Sequence, residues 1–212
     1  MYDKLHVWSN GLKRYKFPEI SKLQAVKNGI YLVFEEGEKY GALDRIVRVG
    51  SHPGQNRFYN RLKDHFLEKQ RKSIIRKHIG RCFLNMVKDP YITIWNLTNK
   101  DVAKGTIGFH KVDHSKEAEI ESRVTNYFNN FSLSVIHGLD NEVRRMSLES
   151  KLIATLNRSS YQFISSNWLG KNHPDPRISS SGLWNIQGLN GPEFISDEDF
   201  AFLKVKTKNE QA

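Results

Sequence analysis

Two stretches of the chain decide the fold: Asn28-Gly29-Ile30-Tyr31-Leu32-Val33-Phe34 and Arg45-Ile46-Val47-Arg48-Val49-Gly50-Ser51. Each is a short, mostly β-branched and apolar run with a glycine near one end, and about ten polar, glycine-containing residues separate them. This pattern is typical of a β-hairpin. Because side chains along a strand point alternately to the two faces of a sheet, the first strand presents Tyr31 on one face.

The segments beyond this hairpin predict both helices and strands. Ser51 to Gln55 has the composition of a turn, and Asn56 is a suitable N-cap for a basic helix that runs to Lys69. Residues 131–137 alternate apolar and polar side chains as a strand does, and residues 141–157 have the apolar spacing of a helix. The remaining predicted elements are a helix over 73–86, a half-exposed strand over 91–95 and a helix over about 116–129.

These elements predict an α/β (α+β) fold, in which helices flank a small central antiparallel sheet of three main strands. We expect residues 28–157 to form the core, with an N-terminal extension over 1–27 and inserted elements at about 87–130. A C-terminal extension over 158–212 is expected to pack on the core and to end in a frayed tail from about residue 204.

Composition indicates the class of partner. The chain has 212 residues with a net charge of +10 and a pI near 9.6, which favours a polyanion, and nucleic acid ahead of a membrane surface. No apolar run approaches the roughly 20 residues that a membrane-spanning helix needs, and the first residues do not resemble a signal peptide. We therefore expect a cytoplasmic protein without membrane association. The only cysteine, Cys82, excludes an internal disulfide and a multi-cysteine zinc site.

The positive charge is concentrated after the hairpin. From Arg57 to Arg81 there are nine Lys or Arg residues against two acids. Arg57, Arg61 and His65 follow one another at four-residue spacing, so they share one face of the predicted helix. Such a face is either a solvated surface or a set of phosphate contacts. We expect phosphate contacts, because the charge is so one-sided, and the residues predicted to bind nucleic acid here are Arg57, Lys72, Arg76, Lys77 and His78.

Taken in order, these features resemble the GIY-YIG nuclease superfamily, which includes homing endonucleases, excision-repair nucleases and some restriction enzymes. The features are Gly29-Ile30-Tyr31, a second strand that ends in Gly50, Arg61-x-x-x-His65, and Glu149 in a helix after a third strand. The resemblance covers about residues 28–157. Three further segments are similar to a bacterial subgroup of such domains: residues 73–80, 148–156 and 181–185.

The resemblance implies the chemistry of a metal-dependent nuclease that hydrolyses DNA. Glu149 would hold one divalent ion, Mg²⁺ or Mn²⁺, and Arg61 would clamp a phosphate oxygen. Tyr31 would orient the attacking water or deprotonate it, and His65 would hydrogen-bond that tyrosine or relay its proton. The family also has a substrate-positioning asparagine, for which Asn157 and Asn167 compete here; we favour Asn167.

One position departs from the family pattern. Members carry a second tyrosine two residues before the glycine of the second strand, and here that residue is Arg48. An arginine cannot act as a base at neutral pH, although it can bind phosphate. Either Tyr31 handles the water alone, helped by His52 in the following turn, or activity is reduced. The expected function is therefore a Mg²⁺-dependent DNA endonuclease in restriction, defence or repair, with two alternatives: a catalytically silent DNA-binding protein and a nuclease that acts on RNA.

Overall fold

A four-stranded antiparallel sheet organises the computed structural model, which describes residues 1–66, 73–97 and 112–208. Three long strands are present, as the sequence predicts, and a two-residue strand adds a fourth. Their order across the sheet is β1, β4, β2, β3, which makes β3 an edge strand. The strands are β1 (Tyr15–Lys16), β2 (Gly29–Tyr40), β3 (Leu43–Gly50) and β4 (Phe131–His137).

The register of the hairpin sets which side chains share a face. Tyr31 lies opposite Gly50, and Val33 lies opposite Arg48. Because residues two apart on a strand point to the same side, Tyr31 and Arg48 belong to one face of the sheet. The register shifts between Val33 and Phe34, which marks a β-bulge just beyond this pair.

Helices cover both faces of the sheet. On the face that carries Tyr31, an apolar core joins the strands to α2 (Phe58–Phe66), α3 (Ile74–Met86) and α5 (His114–Tyr127). A second apolar core on the opposite face joins them to α1 (Tyr2–Asn10), α6 (Glu142–Asn157) and α8 (Asp197–Lys208). Within the described ranges, no helix is long and apolar enough to cross a membrane.

The predicted strand over 91–95 is wrong, since these residues form a short helix, α4 (Ile92–Trp95). Tyr91 and Trp95 are buried and lie four residues apart, which is the spacing of one helical face. The indole N–H of Trp95 donates to the carbonyl oxygen of Lys77 at 3.0 Å, so the tryptophan anchors this turn against α3. Trp168 and Trp184 are equally buried in the same core.

The C-terminal part of the chain runs along the free edge of β3, after a short helix α7 (Pro176–Ser179). The Trp184 backbone N–H donates to the carbonyl oxygen of Val47 at 2.7 Å. Asn185 continues this pairing through its side chain, which accepts from the Val49 N–H at 3.1 Å and donates to the Val49 carbonyl at 2.9 Å. The segment therefore covers an edge that would otherwise expose unpaired backbone groups.

Candidate active site

A cleft of about 500 Å³ lies at the β3 edge of the sheet, where elements from both layers of helices meet the C-terminal segment. Arg48 of β3, Arg61 of α2 and Glu149 of α6 all line it, and His78 of α3 forms part of the same wall. Four separate elements thus bring polar side chains to one opening. The apolar part of the lining consists of Ile74, Met146, Ile153 and Ile186.

Arg48, which stands where the resemblance predicts a tyrosine, brings a buried positive charge to this cleft. Only 6% of the residue is exposed, and its Nη1 donates to the carbonyl oxygen of Trp184. Its Nε has no hydrogen-bond partner among the described residues. Because a guanidinium stays charged in proteins, Arg48 retains a donor for an anionic ligand.

Arg61 connects the cleft to a smaller pocket of about 90 Å³, whose lining also includes His52, Arg57 and Asp64. The Arg61 backbone N–H donates to the Arg57 carbonyl at 2.9 Å, so the two arginines are one helical turn apart. Arg57 is exposed, whereas the Nε of Arg61 is buried and has no partner in the part of the chain that the structure describes.

Tyr31 and His65 lie together, and neither of them is among the residues that line the cleft. Their rings meet edge to face with centroids 6.0 Å apart, and both residues are 1% exposed. The His65 Nδ1 is 2.9 Å from the Ser73 hydroxyl, which fixes the orientation of the ring. The Tyr31 hydroxyl and the His65 Nε2 are buried without partners within residues 1–66, 73–97 and 112–208.

Burial lowers the pKa of His65 well below its ordinary value, and the positive charges of Arg48 and Arg61 lower it further. The imidazole is therefore neutral at physiological pH. A neutral ring can accept a hydrogen bond or a proton, which an imidazolium cannot.

Gly50 is required where it stands because the Tyr31 side chain folds across it. A Cβ atom at residue 50 would overlap the ring and hydroxyl of Tyr31. The glycine at the end of the second strand thus makes room for the tyrosine of the first. This contact gives a steric reason for the spacing between the two halves of the sequence motif.

Glu149 supplies the negative charge of the cleft. Its pKa is raised, because burial disfavours the carboxylate form. Four groups oppose that shift by favouring the charged form: Arg48, the backbone amide of Ser51, Arg61 and Arg145.

Arg145, which the sequence interpretation did not include, holds the turn after β3 against α6. The residue is fully buried, and its guanidinium donates to the carbonyl oxygens of Leu139 at 2.5 Å and Gly54 at 2.6 Å. Arg145 therefore holds the turn after β3 close to α6, the helix that also carries Glu149. In the sequence, Arg144 and Arg145 are neighbours near the start of a predicted helix, and nothing in that pattern indicates that Arg145 is buried.

The residues fit a metal site of the simplest kind. No group of three or more His, Cys, Asp or Glu side chains that could hold a metal occurs in the described ranges, so Glu149 is the carboxylate that the cleft offers. Mg²⁺ keeps several water ligands and needs only one or two protein carboxylates when substrate phosphates complete its shell. Arg48 and Arg61 repel a cation, so the charge of a bound anion would favour a metal at Glu149.

Two of the residues predicted to bind nucleic acid make internal contacts instead. Arg76 is 3% exposed and pairs with the Glu121 carboxylate at 2.6 Å, and it also donates to the Thr125 hydroxyl at 2.6 Å. The Lys77 ammonium donates to the carbonyl oxygens of Asn96 at 3.1 Å and Leu97 at 3.3 Å. Both side chains tie α3 to its neighbours and do not line the cleft.

The other predicted contacts are placed in different ways. His78 lines the cleft, and His52 is buried in the turn after β3 beside the smaller pocket. Asn167 is exposed and does not line the cleft, whereas Asn185 does. Lys72 lies outside the described residues.

The comparisons with known proteins give one match. A family model described as "GIY-YIG domain" matches residues 1–207. No curated protein and no solved structure matches the chain.

Proposed function

The chain belongs to the GIY-YIG domain family of nucleases, and we propose that it is an endonuclease that hydrolyses phosphodiester bonds of DNA. The reaction would depend on Mg²⁺, and Mn²⁺ would also support it. The observation that carries this proposal is the convergence of Arg48, Arg61 and Glu149 on one cleft. A net charge of +10 supports a polyanionic substrate.

In this proposal, the two cleft arginines bind the scissile phosphate. A guanidinium presents a planar set of donors that matches the oxygens of a phosphate. Each of the two residues keeps a buried Nε without a partner among the residues that the structure covers. Buried polar groups normally have hydrogen-bond partners, and an incoming phosphate would supply them. Arg48 would thus bind substrate in place of acting on the water.

Tyr31 and His65 would handle the attacking water. The Tyr31 hydroxyl would orient the water, which attacks phosphorus while the bond to the leaving oxygen breaks. His65 would accept a hydrogen bond from the phenol through its Nε2, which has no partner among the residues that the structure describes. The lowered pKa of His65 keeps the ring neutral for this role. The edge-to-face contact of the two rings, whose centroids are 6.0 Å apart, supports a joint role in positioning the water.

Glu149 would hold the divalent ion. When bound, this ion would stabilise negative charge on the phosphate and on the leaving oxygen. Since the pKa of Glu149 is raised, protons compete with the metal for this carboxylate at a higher pH than they would at an exposed glutamate. Arg48 and Arg61 favour the carboxylate form and limit that competition.

The experiment is an assay of supercoiled plasmid with the purified protein and MgCl₂, in which nicked and linear products are separated on a gel. We expect metal-dependent nicking that EDTA stops and that Glu149→Gln abolishes. Glu198→Gln is the matched control, because Glu198 is exposed on α8, away from the cleft. A labelled RNA of the same sequence, tested in parallel, decides between DNA and RNA.

A parent protein that binds plasmid but never nicks it, with either Mg²⁺ or Mn²⁺, would overturn the proposal. That result would favour the alternative of a silent DNA-binding protein. The observation behind this alternative is Arg48, which occupies the place of the second motif tyrosine.

A further inference from the structure

Two buried histidines, His78 and His173, form a hydrogen-bonded pair, and His78 lines the cleft. The Nδ1 of His78 lies 3.0 Å from the Nε2 of His173, and the rings meet at a centroid distance of 4.8 Å. His78 is 1% exposed and His173 is 4% exposed. His78 belongs to α3, whereas His173 follows the short turn of helix over Leu169–Asn172.

The backbone of Asp175 fixes the tautomer of His173, the member of the pair farther from the cleft. The backbone N–H of Asp175 points at the Nδ1 of His173 from 2.9 Å. A backbone amide always carries its hydrogen, so this nitrogen must accept and the proton of a neutral ring must sit on Nε2. The Asp175 carbonyl is also 3.3 Å from Nδ1, but a proton placed there would face the amide hydrogen.

The tautomer of His78 is also fixed, by two donors to its Nδ1. His173 Nε2–H donates to the Nδ1 of His78, and the guanidinium of Arg81 approaches the same nitrogen at 3.3 Å. Arginine can only donate. Two donors therefore make Nδ1 of His78 an acceptor, which places its proton on Nε2. His78 lines the cleft, and because its Nδ1 is taken, Nε2 is the ring nitrogen that remains for a contact there.

Both rings stay neutral at physiological pH. Burial lowers the pKa of His78 to about 2 and that of His173 to about 4. The charges around the pair act in both directions: Arg81 and Arg48 lower the pKa of His78, and the Asp175 carboxylate raises it. A neutral histidine of fixed tautomer is a hydrogen-bond donor that does not lose its proton near neutral pH.

We propose that His78 donates its Nε2–H to an oxygen of the DNA phosphate bound in the cleft, and that His173 and Arg81 are positioning residues that hold this tautomer. The proposal rests on the function proposed above for the same cleft. His78 keeps its proton throughout, so no proton is transferred. Its role is to stabilise charge on the phosphate from α3, in addition to Arg48 and Arg61.

Two substitutions at residue 78 separate the donor from the packing. In His78→Asn, the side-chain oxygen can take the place of Nδ1 and accept from His173, but no donor reaches the cleft. In His78→Gln, the longer side chain returns an N–H near the position of Nε2. We expect His78→Asn to lower the cleavage rate about 10²-fold, as the loss of one transition-state donor does, and His78→Gln to stay within about tenfold of the parent. Equal losses in the two variants, or full activity in His78→Asn, would overturn the proposal.

The tautomer itself is measured without cleavage, by ¹⁵N NMR of the histidine rings in the absence of divalent metal. We expect protonated Nε2 and unprotonated Nδ1 in both His78 and His173, and a shift of the His78 Nε2–H signal when a short DNA duplex is added. A double variant, His173→Asn with Arg81→Gln, removes both donors to the Nδ1 of His78 and should lose its single fixed tautomer. A proton on the Nδ1 of His78, or a signal that DNA leaves unchanged, contradicts the proposal.

The two readouts keep the two proposals apart. A parent protein with the expected tautomer and DNA-induced shift, but without nicking, would overturn the nuclease function and retain the His78 contact. A parent that nicks DNA while the His78 signal stays unchanged would do the reverse.

Discussion

Two sets of basic side chains, close together in the fold, have opposite surroundings. Arg76 and Lys77 on α3 have their donors taken by a carboxylate, a hydroxyl and backbone carbonyls. Arg48 and Arg61 each line the cleft and keep a buried Nε without a partner in the described ranges. This difference indicates that the basic residues of this chain fall into two classes. The first set stabilises the contact between helices, and we propose that the second set binds a ligand.

The largest expected effect concerns the available set. We expect Arg61→Gln to lower the cleavage rate about 10²–10³-fold, because it removes a phosphate donor, while the free energy of unfolding stays near that of the parent. Arg57→Gln, one turn earlier and exposed, is the matched control and should retain most of the rate. Steady-state cleavage kinetics and urea unfolding measure the two quantities. A stability loss at residue 61 as large as the one expected at residue 76 would remove the distinction between the two sets.

The second prediction concerns the internally paired set. We expect Arg76→Gln to lower the free energy of unfolding by roughly 3 kcal/mol, because it breaks a largely buried ion pair with Glu121. Glu121→Gln should destabilise in the same way, and the double substitution should cost less than the sum of the two. Urea unfolding tests all three. A folded Arg76→Gln protein that has lost cleavage but not stability would show that Arg76 belongs to the active site.

The third prediction concerns pH. His65 has a lowered pKa in the folded protein, caused first by burial and then by Arg48 and Arg61. The unfolded chain therefore binds more protons than the folded one below about pH 6.5, the ordinary pKa of histidine, and stability falls as pH decreases through that value. Arg61→Gln removes one of the repelling charges and so raises the folded-state pKa of His65, and the loss of stability should level off at a higher pH than in the parent. Urea unfolding at a series of pH values below about 6.5 measures where the loss levels off; the same pH in both proteins would show that the field of Arg61 does not reach His65.

The smallest effect concerns an exposed arginine. If Arg57 contacts a phosphate, Arg57→Gln should reduce the slope of log affinity against log salt by roughly 0.9. Arg76→Gln should leave this slope unchanged, because Arg76 is paired inside the protein. Fluorescence anisotropy with a labelled DNA duplex at several salt concentrations measures both slopes. A reduced slope for the Arg76 variant alone would show that Arg76, and not Arg57, contacts a phosphate.

Local pattern predicted much of this fold. The hairpin, the strand over 131–137 and the helix that carries Glu149 each depend on the period of their own apolar residues, which is readable from the sequence. The four-residue spacing of Arg61 and His65 likewise follows from helix geometry. In contrast, the alternation over 91–95 misled, because the burial of Tyr91 and Trp95 depends on packing against α3, which no local pattern contains.

Long-range pairing explains what the sequence did not reveal about the site. Arg76 looks like its neighbours in a basic run, and its partners inside the protein, Glu121 and Thr125, lie 45 and 49 residues away. Asn185 reaches the cleft because the C-terminal segment pairs with β3, 136 residues earlier. His173 has no feature in its own surroundings that predicts a contact with His78.

The central claim is that Arg48 and Arg61, which line the cleft, receive the phosphate that is cut. A crystal structure of Glu149→Gln with a DNA duplex and Ca²⁺, in which cleavage is blocked, tests it most directly. We predict a backbone phosphate within hydrogen-bond distance of the guanidinium groups of Arg48 and Arg61, with the Tyr31 ring beneath it. DNA bound on another face, with both arginines still without a phosphate, would contradict the claim.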